Sequence, residues 1–316
     1  MKLKFKNLRE AGLIAIIAVI CIAMSFASEY FLTWENMRAM LLSFSIEGIV
    51  VVGMAVLLIV GGIDLSVGSV VCLAMVIVGK LFLMGLNPWA ASLVAIVASA
   101  GIGLCIGLCV TKIGLSHFIA SLAFMVIARG LSLAMTQGTP QSLFTLPPDF
   151  KFIGQGTIGG VPAVILIFLA IVVISDFVLR KSTLLRKVFY TGSNEKAARY
   201  AGINVDSVKL WVTVLCATMA GVAGVIFTAR FGAATPTFGV GMELNVIAAA
   251  VIGGASLKGG SGTIYGAVLG LALLSVVTSS LILLDVSVYW QDVIKGGILL
   301  AAVSLDHWMS HSKKAG

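Results

Sequence analysis

Asp64 stands alone as a charge within the apolar run from Gly48 to Gly79, and it stands among glycines: Gly61-Gly62-Ile63-Asp64-Leu65-Ser66-Val67-Gly68. One carboxylate with small residues on both sides is not an acid–base pair. It can hold backbone that has left helical geometry. At membrane depth such backbone survives only where protein or water satisfies its N–H and C=O groups. Two readings of Asp64 are compatible: either it or Ser66 caps the next helix, against the positive end of the dipole, or its carboxylate meets a passing solute.

A second break lies at Val251 to Ser261, where Gly253, Gly254, Leu257, Gly260 and Ser261 repeat Gly61, Gly62, Leu65, Gly68 and Ser69 at a constant offset of 192. Paired glycine interruptions in apolar segments point to the moving core of a transporter. Other chemistry is poorly supplied. His117, His307 and His311 are too dispersed for an obvious metal site, and Cys21, Cys72, Cys105, Cys109 and Cys216 all lie in apolar segments without zinc or disulfide spacing. No Ser/His/Asp or paired-carboxylate arrangement suggests catalysis. A Gly-x4-Gly-Lys-Ser/Thr phosphate loop is missing too, so ATP would have to be hydrolysed by a partner.

The elements that position these residues are membrane helices. Of the 316 residues, 59% are hydrophobic and 11% charged, against about a quarter charged in soluble domains. The fold class expected is all-α, a polytopic chain of about ten spans with glycine-interrupted helices and no further domain from 1 to 316. The 35 glycines suit close helix packing in lipid. A net charge of +8 comes without a basic, aromatic surface, so it reads as a topology signal and not as nucleic-acid binding.

Taken in order, the spans expected are 11–28, 45–62, 65–84, 88–111, 113–135, 162–179, 210–229, a short segment at 244–257, 263–284 and 286–305. A cleaved leader competes for the first, helped by Ser25-Phe26-Ala27; a retained span is preferred because more spans follow. Residues 29–43, with Tyr30, Trp34 and Arg38, read as an amphipathic stretch at the outer interface. Arg129 falls inside a span and needs a partner or the interface. Asp292 and Lys295 are spaced to pair on one helix. Residues 136–162 read as a long, turn-rich outer loop.

An inner N-terminus places 15 of the 21 Lys and Arg residues on one side, including seven in the 180–209 loop, which makes that loop and both termini cytoplasmic. Within it, 192–203 reads as one short helix, capped by Asn194 or Ser193 and ended by Gly202. A capped helix in a cytoplasmic loop can be an ordinary surface element or can dock into a partner's groove.

Gly62 to Gly68, Phe118-Ile119-Ala120-Ser121-Leu122 with Arg129-Gly130, the 192–203 loop, and Glu243-Leu244-Asn245 through Gly253-Gly254 carry a resemblance that extends over nearly the whole chain. They resemble the permease subunits of the ribose-type branch of bacterial ATP-binding cassette sugar importers. The resemblance implies an inner-membrane permease paired with a second, identical or different permease. It also implies a cytoplasmic ATPase that holds ATP and Mg, and a periplasmic or lipid-anchored substrate-binding protein. On that reading Gly192, Asn194, Glu195, Ala198 and Gly202 couple to the ATPase. Gly61, Gly62, Asp64, Ser66, Gly68, Arg129, Asn245, Gly253 and Gly254 line or gate the path. Lys196 follows Glu195, a departure from the Glu-Ala-Ala pattern of maltose-type permeases, so docking geometry is not carried over from that branch. A related solute such as a signalling furanose or a branched-chain amino acid stays open, and an ion-coupled carrier is the competing class.

Overall fold

The computed structural model describes residues 2–312, thirteen α-helices and little else. Seven helices are long and apolar enough to cross a membrane: residues 10–27 of α1 (Lys2–Ala27), α2 (Trp34–Val60), α4 (Pro88–Leu108) with its π-helical extension Cys109–Ile113, α5 (His117–Thr136), α7 (Ala163–Lys181), α10 (Val205–Phe231) and α12 (Ile264–Leu283). The apolar helices α3 (Val67–Leu83) and α11 (Met242–Ile252) are shorter. α13 runs Val288–Ser312 and holds the Lys295–Asp292 pair at 3.6 Å.

α2 is the core. From Gly48 to Val60 every residue is buried, the pattern of a helix that is apolar all round and enclosed by others. It packs against α10, α7, α11 and α12. Its start differs from the sequence expectation of a span beginning at 45: Thr33 accepts a hydrogen bond from Asn36 N and begins one continuous helix, so residues 34–43 are its first turns and not a separate element. Their polar positions gave the amphipathic pattern because some of them face a cavity between helices.

Small residues set the close approaches. A Cβ on Gly53 would lie 3.0 Å from Cys216 Cα, on Gly103 2.9 Å from Thr213 O, and on Gly224 2.5 Å from Val71 O. α10 therefore touches α2, α4 and α3 almost backbone to backbone.

Two other expectations change. The 136–162 loop contains a helix, α6 (Pro148–Gln155), whose Phe150 is fully buried beside Trp89. The 180–209 loop contains two helices, α8 (Thr183–Ser193) and α9 (Glu195–Tyr200), where one was expected.

Between α10 and α11 the chain runs down the side of α3 without forming a helix. Ala233–Ala234 pairs with Gln141–Ser142. A Cβ on Gly79 would lie 2.7 Å from Ala234 Cβ, the Cys72 thiol reaches Pro236 O at 3.1 Å, and Gly68 abuts Gly239 O. From Gly79 to Gly68 is about 16 Å of helix, so this irregular stretch descends deep along a helix that is itself buried from Val67 to Val76.

Candidate functional site

The first break is a built turn. Gly61, at φ +89°, ends α2 by donating to Leu58 O, and Gly62 donates to Leu57 O, a glycine-dependent helix stop. The chain then returns past α5, whose Ser121 hydroxyl accepts from Leu65 N at 3.1 Å and donates to Ile63 O at 3.3 Å. Asp64 is fully buried. Its Oδ1 accepts from Ser66 N at 2.7 Å and from Ser66 Oγ at 2.6 Å, while Oδ2 has no partner among the described residues. Neither Asp64 nor Ser66 caps the first turn of α3; the carboxylate fixes the residue before it.

The second break reaches the first. Gly260 N donates to Ile59 O at 2.8 Å. A Cβ on Gly259 would fall 2.8 Å from Gly192 O and 3.0 Å from Gly61 Cα, and one on Gly192 would overlap Ile59 O and lie 2.6 Å from Gly260 N. Three segments thus meet backbone to backbone: the end of α2, the 256–262 loop and the end of α8. Gly254, at φ +103°, turns the chain out of α11, whereas Gly253 packs on Gly266 of α12.

The expected 192–203 helix is broken at Asn194, which accepts from Ala197 N and caps α9. Gly202, at φ +77°, ends it. Two residues expected to face a partner also have neighbours within the chain, and Ala198 still lines the outward groove described next. Ala198 is buried, and Glu195 is bound by Lys209 at 2.7 Å and Arg199 at 3.4 Å. The Lys209 hydrogen bond holds the Glu195 carboxyl below its ordinary range. Facing outward are Tyr200, 92% exposed, and a groove of about 390 Å³ lined by Tyr190, Ser193, Asn194, Ala197 and Ile203.

Arg129 has the partner that its position demands. Its Nη1 donates to Phe238 O at 2.6 Å and Pro236 O at 3.1 Å, satisfying two carbonyls of the irregular stretch. With Ser69, Val240 and Glu243 it borders a groove of about 420 Å³. Gly68 stands beside it, where a Cβ would lie 2.6 Å from Glu243 Oε2.

Residues 36–303 match the family described as branched-chain amino acid transport system / permease component. The chain belongs to this family. Among curated proteins, the permease is 36% identical over 302 residues to the ribose import permease protein RbsC of Escherichia coli strain K12, covering 95% of this chain and 94% of that one. It is 34% identical to the D-allose transport system permease protein AlsC of the same strain, over 92% of this chain and 89% of the other. It is also 34% identical to that strain's L-arabinose transport system permease protein AraH, over 96% and 92%.

The expected path residues of the permease therefore fall in separate places. Gly61, Gly62, Asp64 and Ser66 form the first turn, Gly68 and Arg129 flank the 420 Å³ groove, and Asn245 lines another cavity among α2, α11, α12 and α13. Sequence reasoning passed over Glu47, Glu243 and the two loop tyrosines. A signal for Glu47 was present, since a carboxylate one residue before an apolar run of that length falls inside the same helix.

Asp64→Asn is expected to keep most uptake. The amide retains Oδ1 as an acceptor for both Ser66 donors, and a hydrogen bond weakened from charged to neutral costs about 1 kcal/mol. Solute uptake by cells expressing the variant measures this. Inactivity in a well-assembled Asp64→Asn would assign the work to the carboxylate's charge.

Proposed function

We propose that the permease forms the membrane path of an ATP-driven importer and that its solute is a monosaccharide. The sugar assignment is supported by relatives named for ribose, D-allose and L-arabinose, each matched along almost the full length of both chains. In this reading a second permease completes the path, an ATPase binds ATP and Mg on the cytoplasmic side, and a periplasmic or lipid-anchored binding protein delivers the sugar. The seven basic residues of the 180–209 loop support a cytoplasmic position for it and for both termini. With α3, α11 and α13 added to the seven long helices, the count is ten membrane segments.

The observation that carries the mechanism is the three-way glycine joint. α8 and α9 present Tyr200 and the 390 Å³ groove outward, and the end of α8 is seated on both breaks. A push on α8 and α9 by a nucleotide-driven partner reaches the ends of α2 and α11 through backbone contacts with no side chain between them. The largely apolar groove beside Arg129 and Glu243 brings two charged side chains to a depth where charge is otherwise costly, and in this proposal it faces the sugar's route.

Proteoliposomes containing the permease, its ATPase and its binding protein test the reading with radiolabelled D-ribose, D-allose and L-arabinose. Accumulation of at least one sugar only with ATP inside the vesicle-accessible cytoplasmic compartment is expected. Accumulation of none, or accumulation without ATP, sinks it. Tyr200→Ala tests the docking face more cleanly than a substitution at Gly202, where positive φ strains any side chain. Truncating an exposed aromatic anchor should weaken ATPase binding about thirtyfold, near 2 kcal/mol. Unchanged ATPase affinity would remove α9 from the interface.

A further inference from the structure

Asn245 lines a cavity of about 240 Å³ that is separate from the Arg129 groove and enclosed by α2, α11, α12 and α13 of a single chain. We propose that this cavity is a solute site within each permease, taking one neutral polyhydroxylated molecule of monosaccharide size. The sugar class rests on the importer reading above; the site itself rests on its residues.

Phe44, Glu47, Asn245, Ser275, Thr278 and Lys295 supply the chemistry. Each hydroxyl of a sugar both donates and accepts, so its site needs acceptors and donors side by side. Glu47 only accepts when ionised, Lys295 only donates, and the amide and the two hydroxyls do both. The Phe44 ring gives an apolar surface for the C–H face of the guest and is fixed edge-on to Phe168, with ring centres 5.2 Å apart and planes at 77°. At the outer end Ser279 donates to Asn36 Oδ1 at 3.0 Å, tying α12 to the first turns of α2.

Size selects within the polyols. A volume of 240 Å³ corresponds to about eight waters of liquid and lies below the ~300–1,000 Å³ typical of drug-sized ligands. That is the scale of one sugar ring.

Charge points the same way. Glu47 lies on the enclosed helix α2 and shares the cavity wall with Lys295 of α13, whose ion pair is with Asp292 at 3.6 Å; among the described residues no hydrogen bond reaches the Glu47 carboxylate. Ionisable groups inside membrane helices mark functional positions, because burial there is costly without a return.

Alkylation at position 275 tests this in the full-length permease in nanodiscs, with Ser275→Cys as the target and peptide mass spectrometry to separate it from the native cysteines. A transported sugar among D-ribose, D-allose and L-arabinose should slow N-ethylmaleimide labelling at position 275 about threefold at twice its dissociation constant. Glu47→Gln should raise the protecting concentration about tenfold, the scale of one lost hydrogen bond to a charged group. Thr278→Val, which leaves Glu47 and Lys295 in place, should also weaken protection. Labelling that no sugar slows, in a protein that takes up one of them with ATP, overturns this site and leaves the importer standing. Equal protection by L-valine overturns the polyol assignment. Failure of all three sugars in the ATP-driven uptake assay overturns the importer reading and this sugar assignment with it.

Discussion

Gly192→Ala abolishes uptake while leaving the permease inserted: this is the expected result of adding one methyl group where three backbones meet. Two effects oppose each other. Gly192 lies within α8, and in an exposed helix alanine would be favoured over glycine by about 1 kcal/mol. The added Cβ, however, would overlap Ile59 O and come within 2.6 Å of Gly260 N. Neither neighbour is the mobile end of a side chain, so the segments must separate, at the ~1–3 kcal/mol typical of overpacking and with loss of the Gly260 N to Ile59 O hydrogen bond. Overpacking therefore wins. Gly101→Ala in α4 is the matched control, since a Cβ there meets nothing within 4 Å. Uptake and sugar-stimulated ATP hydrolysis in the two variants decide the matter. Normal coupling in Gly192→Ala would show that α8 and the breaks move independently.

Arg129→Met is expected to lower thermal stability in detergent and to stop transport. Methionine fills the space but donates nothing, so the Pro236 and Phe238 carbonyls lose their shared donor. Among the described residues Pro236 O keeps only the Cys72 thiol at 3.1 Å, and Phe238 O keeps no side-chain donor; a buried group left unpaired costs about 1–3 kcal/mol. Arg129→Lys should recover part of the stability, because an ammonium can still donate to these oxygens although the planar guanidinium fork is gone. Melting of the purified variants and uptake in vesicles give the two readouts. If Arg129→Met melts with the parent, the irregular stretch is held by its other contacts with α3 and the Arg129 groove loses its support.

What the sequence disclosed, it disclosed through local chemistry. Glycines beside a lone acid in an apolar run announced the turn at Gly61 to Ser66, and the glycine repeat announced the second break. Asn194 and Gly202 carried a cap and a stop, and both fall where those residue types direct. Arg129 could be read as needing a partner, though not that the partner would be main chain more than a hundred residues away. What stayed hidden depends on neighbours distant in sequence. The polar positions in the first turns of α2 read as an amphipathic pattern, and the sequence could not show that Asn36, Ser43 and, further along, Glu47 line a cleft between helices. The 232–241 stretch has no pattern of its own, since its shape is set by Gly68, Cys72, Gly79 and Arg129. That Glu195 would be held by Lys209 and Arg199 was hidden for the same reason, since Lys209 lies fourteen residues away on the next helix.

The enclosure of α2 also bears on how the chain is made. Its neighbours α7, α10, α11 and α12 all follow it in the sequence, so α2 leaves the ribosome long before anything exists to surround it. An apolar helix of 27 residues can wait as an independent span in lipid, since a span needs only about 20 such residues. α11, with 11 residues and a length of about 16 Å, cannot do the same across ~30 Å of hydrocarbon. Biogenesis of this protein therefore has an enforced order at this point, in which α2 and α10 are laid down before α11, and α11 enters only into a cleft that they already define.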